Sequence, residues 1–341
     1  MTHVAILLGD PRLPYAYGPD GHIDPEELNA VEALRGATER LRPRGYRFTF
    51  HDDHSRMFRE LEADPPDLAL NFCDNGFRNI LNLELHVPAT LELMGIPYTG
   101  ASPFCMCVCS DKALVRQLAA SLGVPVPDEI LVDVSAEEPT LPERYPALIK
   151  PNSADGSVGI HADCVVHSPD EARRYMRRLA GELRRPLVVV QEFLTGDEYT
   201  VGVVGNPATG FQVFPPLVVD YSALSSELPP ILDYGSKVDP DSPYWQALRF
   251  RPAELEEDTL ERIRGAVTTL FSRLDFRDYG RFDFRAGSDG VPRLIDANFN
   301  PTWFEDGKLS MMAGYAGLDY TGLIERLIST ALARHGVGTA Q

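Results

Sequence analysis

The stretch that most constrains the fold is residues 281–300, RFDFRAGSDGVPRLIDANFN. Its first arm alternates, with Phe282 and Phe284 on one face and charged side chains on the other, which is the period of a β-strand. Asp289-Gly290 favours a two-residue type I′ turn, because both central positions of that turn need a positive φ. The sequence therefore predicts a β-hairpin whose register is set by this turn.

Counting outward from that turn gives the cross-strand pairs Ser288 with Val291, Asp283 with Asp296 and Arg281 with Asn298. The same count puts Pro292 at a non-hydrogen-bonded position, which a residue without an N–H can occupy. The hairpin therefore gathers two carboxylates, an amide and a guanidinium on one face.

Two carboxylates directly opposite each other destabilise a hairpin, so we expect a cation between Asp283 and Asp296. With the amide oxygen of Asn298 they form a hard oxygen ligand set, which suits Mg²⁺ or Mn²⁺ rather than zinc. Mg²⁺ usually bridges carboxylates to substrate phosphates, so the hairpin also predicts a nucleotide. Arg281 would stabilise charge on a transferring phosphoryl group. The alternative is a surface hairpin whose polar face meets water.

Composition narrows the class of partner. The 341 residues, 44% of them hydrophobic, can bury a large core and should form two or three domains. A net charge of −18 without a compensating basic cluster argues against nucleic acid or an anionic membrane and favours a small-molecule partner. The apolar run 4–8 is too short for a signal peptide or a membrane span, so we expect a cytoplasmic protein.

The first hundred residues alternate strands and helices, predicted as strands 4–8, 47–51 and 68–72 and helices 25–42, 54–63 and 87–94. This pattern indicates a parallel α/β domain, and no GxGxxG follows the first strand. Ligands of such sheets bind at the carboxyl ends of the strands. The loop after Phe72 carries Asp74, Asn75 and Arg78, which could hold an amino acid, although a capped turn into the next helix is the alternative.

Two lysines stand at element boundaries. A helix capped by Ser110 or Asp111 begins at Lys112 and ends at Gly123, and a buried strand over 145–151 delivers Lys150. The loop 152–160 that follows is rich in small residues, and its N–H groups could close over phosphates.

Three other segments carry predictions. Residues 211–252, rich in proline and acidic side chains, are predicted to be an ordered loop that carries Lys237 and borders an acceptor pocket, with a plain surface excursion as the alternative. Residues 320–335 have helical spacing of apolar side chains. The cysteines at 105, 107 and 109 lack zinc-type spacing and are predicted to be small buried residues ahead of a helix.

The order of these parts resembles the ATP-grasp superfamily, and within it the D-alanine:D-alanine ligases. The resemblance covers nearly the whole chain and also includes IPYTG at 96–100, DKAL at 111–114 and QEFLTGDEYTVGVVG at 191–205. It implies an α/β (α+β) fold in which an N-terminal parallel domain, 1–103, precedes two ATP-grasp subdomains, 104–191 and 192–341, that sandwich the nucleotide. It also makes a homodimer through the first domain an expectation.

The resemblance implies ATP and two Mg²⁺, or Mn²⁺, as cofactors. By it, the phosphates are bound by Lys112, Lys150, Ser157 and Lys237; adenine by Glu192, Phe193 and Leu194; ribose by Glu198; and the metals by Asp283, Asp296 and Asn298. Arg281, Lys237 and Ser157 would act at the transferring phosphoryl group. The implied chemistry is ATP-driven amide formation through an acyl phosphate, with a glycine loop that closes and excludes water.

The chain departs from the family pattern at the substrate pockets. Asp10-Pro11-Arg12 and Asp74-Asn75-Gly76 replace a glutamate loop and a histidine-glycine motif, and Asp296 stands where the family usually has Glu. The candidate substrate residues are Asp74, Asn75, Arg78, Asn300, Thr302, Trp303 and Lys308. Trp303 would fill space or offer a stacking face, and Lys308 could hold a carboxylate in place of a serine.

We therefore predict a carboxylate–amine ligase for amino acids or their derivatives that is not a cell-wall dipeptide ligase. The alternatives are a ligase that joins an amino acid to another carboxylic acid, or a regulatory ATP-binding protein without turnover. Because every element of the site is present, the enzyme is favoured. The sequence leaves the substrates and their chirality open.

Overall fold

The computed structural model describes residues 1–14, 25–153, 159–183 and 185–337. Three β-sheets of three, four and six strands make up its framework, and helices pack against them. The mixed α/β class predicted from the sequence is confirmed. Within the described residues no helix is long and apolar enough to cross a membrane.

The N-terminal sheet is parallel, in the order β2-β1-β3, with strands β1 (Thr2–Leu7), β2 (Tyr46–His51) and β3 (Leu68–Asn71). Its helices are α1 (Pro25–Leu41), α2 (Met57–Ala63) and α3 (His86–Met94). Strands β1 and β3 are buried throughout, as expected for a parallel sheet covered on both faces. Helix α2 begins three residues later than predicted, because the Asp53 carboxylate accepts bonds from Ser55 and Arg56 and holds a turn there.

The middle of the chain forms an antiparallel sheet in the order β4-β7-β5-β6. Its elements are helices α4 (Pro103–Cys109), α5 (Lys112–Ser121) and α6 (Pro169–Glu182), and strands β4 (Glu129–Asp133), β5 (Ala147–Pro151), β6 (Val165–Val166) and β7 (Leu187–Glu192). Asp111 caps α5 by accepting a bond from Leu114 N at 2.9 Å. The predicted strand over 145–151 and the predicted start of α5 are thereby confirmed to within two residues.

The C-terminal sheet has the order β11-β10-β8-β12-β13, and β9 pairs with β8. Its strands are β8 (Glu198–Asn206), β9 (Gly210–Val213), β10 (Leu217–Asp220), β11 (Arg249–Pro252), β12 (Asp278–Ala286) and β13 (Pro292–Asn298). The helices are α7 (Gly235–Val238), α8 (Pro243–Ala247), α9 (Glu257–Arg273), α10 (Lys308–Tyr315) and α11 (Tyr320–His335). Helix α11 has the predicted bounds.

The hairpin β12–β13 has the predicted residue pairs at the end farthest from its turn, but the turn itself differs from the predicted one. Asp283 lies opposite Asp296 and Arg281 opposite Asn298, as predicted. The predicted pair of Ser288 with Val291 is wrong: Gly287 bonds Val291 and closes a three-residue loop, in which only Gly290 has a positive φ. The register shifts by one residue at Ile295, a β-bulge that restores the predicted pairing.

Two other predictions are corrected. Residues 211–252 are not one loop, since they include most of β9 and all of β10 and β11, which pair into the C-terminal sheet. The three clustered cysteines lie within α4 rather than before a helix. Cys105 and Cys109 are buried, whereas Cys107 is exposed because it lies on the opposite side of the helix.

The division of the chain at 1–103, 104–191 and 192–341 remains a prediction. Helices α4 and α5 share a hydrophobic core with the C-terminal sheet, through Cys105 and Val115 on one side and Phe271 and Phe282 on the other. Part of the loop 152–160, including Ser157, lies outside the described residues.

Candidate active site

A cleft lies between the four-stranded and six-stranded sheets. Its empty volume, including the part that is open to solvent, is about 890 Å³. Its charged lining consists of six cations, Lys112, Lys150, Lys237, Arg281, Arg285 and Lys308, and three carboxylates, Glu198, Asp283 and Asp296. Asn298 and an apolar wall complete it. Residues from four different segments of the chain thus meet at one site with an excess of positive charge, which suits a polyanionic ligand.

The hairpin supplies the anionic face of the cleft. Asp283 accepts two hydrogen bonds from Arg281, both 3.1 Å long, and one of 2.9 Å from Asn298 Nδ2. Lys112 Nζ lies 3.0 and 3.2 Å from the two oxygens of Asp296. Each carboxylate is therefore held by a cation of the protein itself.

Both aspartates are ionised at neutral pH. Burial alone would raise their pKa values, but Arg281 and Lys308 keep the pKa of Asp283 well below its usual range. The charges of Lys112 and Lys150 likewise lower the pKa of Asp296 despite its burial. The two carboxylates can thus bind a divalent cation without first losing a proton.

The donor set fits Mg²⁺ that is shared with a ligand. The described residues contain no cluster of three or more His, Cys, Asp or Glu side chains that could enclose a metal. Asp283, Asp296 and the amide oxygen of Asn298 are all hard oxygen donors, and Mg²⁺ usually takes only one or two carboxylates and completes its shell with water and phosphate. Arg281 and Lys112 occupy the space beside the carboxylates with positive charge, as a metal would.

Asn152 links the two lysines at the cationic face. Its backbone carbonyl accepts from Lys112 N at 3.1 Å and its Oδ1 from Ala113 N at 2.9 Å. The end of β5 is thereby joined to the first turn of α5. Lys150 and Lys112, 38 residues apart in sequence, point into the same end of the cleft. Burial, and next the charge of Arg116, lower the pKa of Lys150.

The apolar wall contains Phe193 and Leu194, as predicted, but not Glu192. Glu192 Oε1 points away, accepting from Asp128 N at 3.1 Å and lying 3.7 Å from Arg293 Nε. Gln191 lines the cleft instead, because successive side chains of β7 point to opposite faces. The alternation along β7 was the signal that could have identified it.

Gln191 carries a buried polar atom that a ligand could satisfy. Its side chain is 4% exposed, and Oε1 has no hydrogen-bond partner within the described part of the chain. An unpaired buried acceptor costs about 1–3 kcal/mol. A donor such as the exocyclic amino group of adenine would remove that cost.

Three further candidate residues from the sequence also line the cleft: Glu198, Lys237 and Lys308. Glu198 is paired with Arg285 at 3.3 Å and accepts from the Tyr221 hydroxyl at 2.8 Å. Lys308 is the first residue of α10, with its ammonium 4.5 Å from the centre of the Phe250 ring. Burial, followed by the Arg281 charge, lowers the pKa of Lys308 to about 8.

The remaining substrate candidates are absent from the lining of this cleft as the structure describes it. Three of them, Asn75, Asn300 and Trp303, are brought together where the N-terminal domain meets the C-terminal sheet. Asn75 Nδ2 lies 3.3 and 3.4 Å from the Glu27 oxygens. Asn300 donates to Glu84 and accepts from the Tyr279 hydroxyl, each at 2.9 Å. We call Glu27, Asn75, Glu84, Tyr279 and Asn300 the interdomain polar cluster.

Trp303 fills space in the core. It is 3% exposed and stacks on Phe72 at 5.2 Å between ring centres with 10° between planes. Its Nε1 faces the Asp74 carboxylate without reaching hydrogen-bond geometry. Arg78 and Thr302 are exposed. Sequence reasoning missed the two buried glutamates, Glu27 and Glu84, because each lies in a helix or turn far along the chain from its asparagine.

Comparison with known proteins gives consistent matches. The family model described as D-ala D-ala ligase C-terminus matches residues 131–329, more than half of the chain. A D-alanine–D-alanine ligase of Oleidesulfovibrio alaskensis is 28% identical over 312 residues, covering 91% of this chain and 92% of that protein.

Solved structures resemble the whole chain. A D-alanine–D-alanine ligase from Bacillus anthracis complexed with ATP superposes with a TM-score of 0.74 at 19% identity, covering 99% of this chain and all of the other. The VanG D-Ala:D-Ser ligase from Enterococcus faecalis gives 0.69 at 18%, covering 97% and 99%. At these identities the structural likeness establishes a shared fold.

Proposed function

The chain belongs to the D-alanine–D-alanine ligase family and has its ATP-grasp fold, and from this we propose that it is an ATP-dependent ligase that joins a carboxylate to an amine. The observation that carries the proposal is the pairing in one cleft of Asp283 with Arg281 and of Asp296 with Lys112. Such a layout binds a polyphosphate through the cations and a divalent metal through the carboxylates.

The nucleotide would lie with its base against Phe193 and Leu194 and its phosphates against Lys112, Lys150 and Lys237. Gln191 Oε1 would accept a hydrogen bond from the adenine amino group, and Glu198 would hold the ribose. These assignments follow from the lining of the cleft and from the Gln191 Oε1 acceptor, which has no partner within the described residues.

Asp283, Asp296 and Asn298 would hold Mg²⁺, which supplies charge neutralisation and alignment of the β- and γ-phosphates. When the phosphates arrive, Lys112 would exchange Asp296 for a phosphate oxygen. Arg281, already beside Asp283, would face the transferring phosphoryl group. The protein cations that hold the carboxylates in this structure are thus the groups that stabilise phosphoryl transfer.

The reaction would take place in two steps. A carboxylate oxygen of the first substrate attacks the γ-phosphorus and ADP leaves, which gives an acyl phosphate. The amine of the second substrate then attacks the acyl carbon, phosphate leaves with the former carboxylate oxygen, and the nitrogen loses a proton. Lys308, at the start of α10, would hold a carboxylate of the second substrate.

We propose that both substrates are amino acids or amino-acid derivatives other than two D-alanines. By the resemblance, Lys308 replaces a serine of the family pattern and the Asp74-Asn75 loop replaces its histidine-glycine motif, and Trp303 is packed into the core nearby. The relatives themselves differ in the second amino acid, which is D-Ala or D-Ser in the proteins matched here.

Phosphate release from MgATP against pairs of L- and D-amino acids and their derivatives, with mass spectrometry of the products, tests the proposal. We expect release only with particular pairs and a product lighter than their sum by one water. ATP binding without release from any pair would favour a regulatory protein, and D-Ala-D-Ala as the best product would overturn the substrate assignment.

A further inference from the structure

Arg116 is a charged residue in the core that the cleft does not explain. It lies one helical turn after Lys112 on α5, has 0% exposure, and is the largest fully buried side chain among the described residues. It does not line the cleft. A guanidinium is costly to bury unless its surroundings pair it, so its contacts indicate what it is there to hold.

The guanidinium joins three elements. Its Nε donates to Glu129 Oε2 on β4 at 2.5 Å, and its Nη1 donates to the carbonyl oxygen of Ile295 on β13 at 2.9 Å. Its Nη2 is buried and has no hydrogen-bond partner in the described part of the chain. Arg116 therefore fixes the position of α5 against both antiparallel sheets.

The Ile295 carbonyl belongs to the bulge that restores the hairpin register. Ile295 has no partner residue on β12, because it is the extra residue of the bulge. Lys150 Nζ also donates to this oxygen, at 3.3 Å. The next residue is Asp296. The Ile295 carbonyl oxygen is thus bonded to Lys150, the lysine proposed to bind phosphate, and belongs to the residue next to Asp296, the proposed metal ligand.

Two cations on one carbonyl oxygen repel each other, and the arrangement favours the release of one of them to an anion. Lys150 lines the cleft and can turn to a phosphate, whereas Arg116 is enclosed and cannot. When Lys150 leaves, the Ile295 carbonyl keeps the Arg116 bond, so the bulge stays fixed while the nucleotide binds.

We propose that Arg116, anchored by Glu129, is a positioning residue of the nucleotide and metal site. It holds the bulge carbonyl of Ile295 and thereby sets the place of Asp296 relative to Lys112 and Lys150. This inference rests on the proposed function, since it requires the cleft to bind MgATP. The competing view is that Arg116 and Glu129 form an ordinary buried ion pair that serves stability alone.

The experiment compares three full-length variants with the wild type. Arg116→Gln removes both the positive charge and the planar guanidinium. Arg116→Lys keeps the charge, but its single nitrogen cannot bond Glu129 and Ile295 in the geometry of the guanidinium. Arg334→Gln is the control, because Arg334 also pairs with a buried carboxylate, Asp278 at 2.7 Å, and neither residue lines the cleft. MgATP affinity is measured by calorimetry, unfolding by a thermal melt, and kcat and KM by phosphate release with the best substrate pair.

We expect Arg116→Gln to weaken MgATP binding and raise KM for ATP by about 10- to 100-fold, the range seen when groups behind metal ligands are removed. Arg116→Lys should recover part of the affinity. Arg334→Gln should lower the melting temperature while leaving MgATP affinity within about twofold of wild type, since no contact of Arg334 reaches the cleft.

Folded Arg116→Gln with wild-type MgATP affinity would overturn the inference, and so would an equal loss of affinity in Arg334→Gln. If Arg116→Gln does not fold, Arg116→Lys decides in its place: wild-type affinity in that variant contradicts the role. Wild-type protein that binds no MgATP would overturn the proposed function and this inference together, whereas wild-type binding with unaffected variants overturns the inference alone.

Discussion

The proposed nucleotide end of the cleft, formed by Lys112, Lys150, Arg281, Asp283 and Asp296, is built by different means from the interdomain polar cluster. At the nucleotide end, functional side chains project from paired strands, and each carboxylate is matched with a cation across a defined distance. In the interdomain polar cluster, side chains from α1, two loops and β12 satisfy one another, as Asn75 does with Glu27 and Asn300 with Glu84. Strand register therefore sets the chemistry of the first region, and long-range packing sets the shape of the second.

The largest effect should come from Asp283→Asn, which tests whether the nucleotide end carries the chemistry. Loss of the metal carboxylate removes several kcal/mol of transition-state stabilisation, so kcat should fall by about 10³-fold or more. The fold should persist, because Thr200 and Arg281 Nε can still donate to the oxygen that the amide retains. Steady-state phosphate release measures the change.

Asp289→Asn is the matched control, since it makes the same substitution at the exposed turn of the same hairpin. Its kcat should stay within about twofold of wild type, because an exposed ion pair such as Asp289–Arg293 is screened by solvent and acts on stability rather than on the reaction. Equal losses in the two variants would mean that hairpin stability, not metal binding, explains the effect.

The second effect tests whether the region around the interdomain polar cluster is a packed core. Trp303→Ala removes a ring stacked on Phe72 and should destabilise the fold by about 3–5 kcal/mol, because the surrounding core cannot collapse fully. Trp303→Phe should cost less, since it keeps the aromatic stack. Trp245 is less buried and provides the comparison; denaturant unfolding of the three variants measures the differences. A Trp303→Ala loss no greater than that of Trp245→Ala would contradict a core role.

Sequence reasoning succeeded where local pattern decides the structure. The period-two alternation of residues 281–285 predicted the strand and its two faces, and counting outward from the Asp289-Gly290 turn placed Asp283 opposite Asp296, as the structure has them. The pairing survived a wrong turn type only because the bulge at Ile295 offset it. The carbonyl of the bulge residue accepts hydrogen bonds from Arg116 and Lys150, which lie elsewhere in the chain, and no local pattern encodes those contacts.

The interdomain polar cluster could not be predicted from the sequence either, because its residues meet through contacts between distant parts of the chain. Glu27 and Asn75 are 48 residues apart, and Asn300 and Glu84 are 216 apart. Their pairing depends on how the N-terminal sheet docks on the C-terminal one. Gln191 differs, because neighbouring side chains of a strand point to opposite faces: Gln191 lines the cleft with Phe193, whereas Glu192 bonds Asp128 N outside it.

A third prediction concerns Lys308, which lines the same cleft as Asp283 and Asp296. Lys308→Met should raise the KM of the carboxylate-bearing second substrate by about 10- to 100-fold, because a charge-assisted hydrogen bond contributes about 1.5–3 kcal/mol. The pKa of Lys308 is lowered to about 8, so its charge is lost as pH rises through that value. KM should therefore rise above pH 8 in the wild type.

Lys308→Arg separates charge from other effects of the substitution. Arginine keeps its charge at every accessible pH, so the rise of KM above pH 8 should flatten. A pH profile that is the same in Lys308→Arg and in the wild type would assign the titration to a different group and remove Lys308 from substrate binding.

The smallest effect is expected at Asp74, beside Trp303. Burial raises the pKa of Asp74 to about 7, so between about pH 4 and 7 the folded protein holds a proton that the unfolded chain has released. The unfolded state then binds fewer protons, and stability falls as pH rises through this window. Asp74→Asn removes the buried charge and should raise the melting temperature by a few degrees at pH 8, on the scale of about 1 kcal/mol, and by less at pH 5.

Glu62→Gln, at an exposed carboxylate of α2, should show no such difference between the two pH values. If Asp74→Asn instead lowers the melting temperature at pH 8, its carboxylate is stabilised by a partner in the folded state, and this region would resemble the nucleotide end, where Asp283 and Asp296 are each paired with a cation.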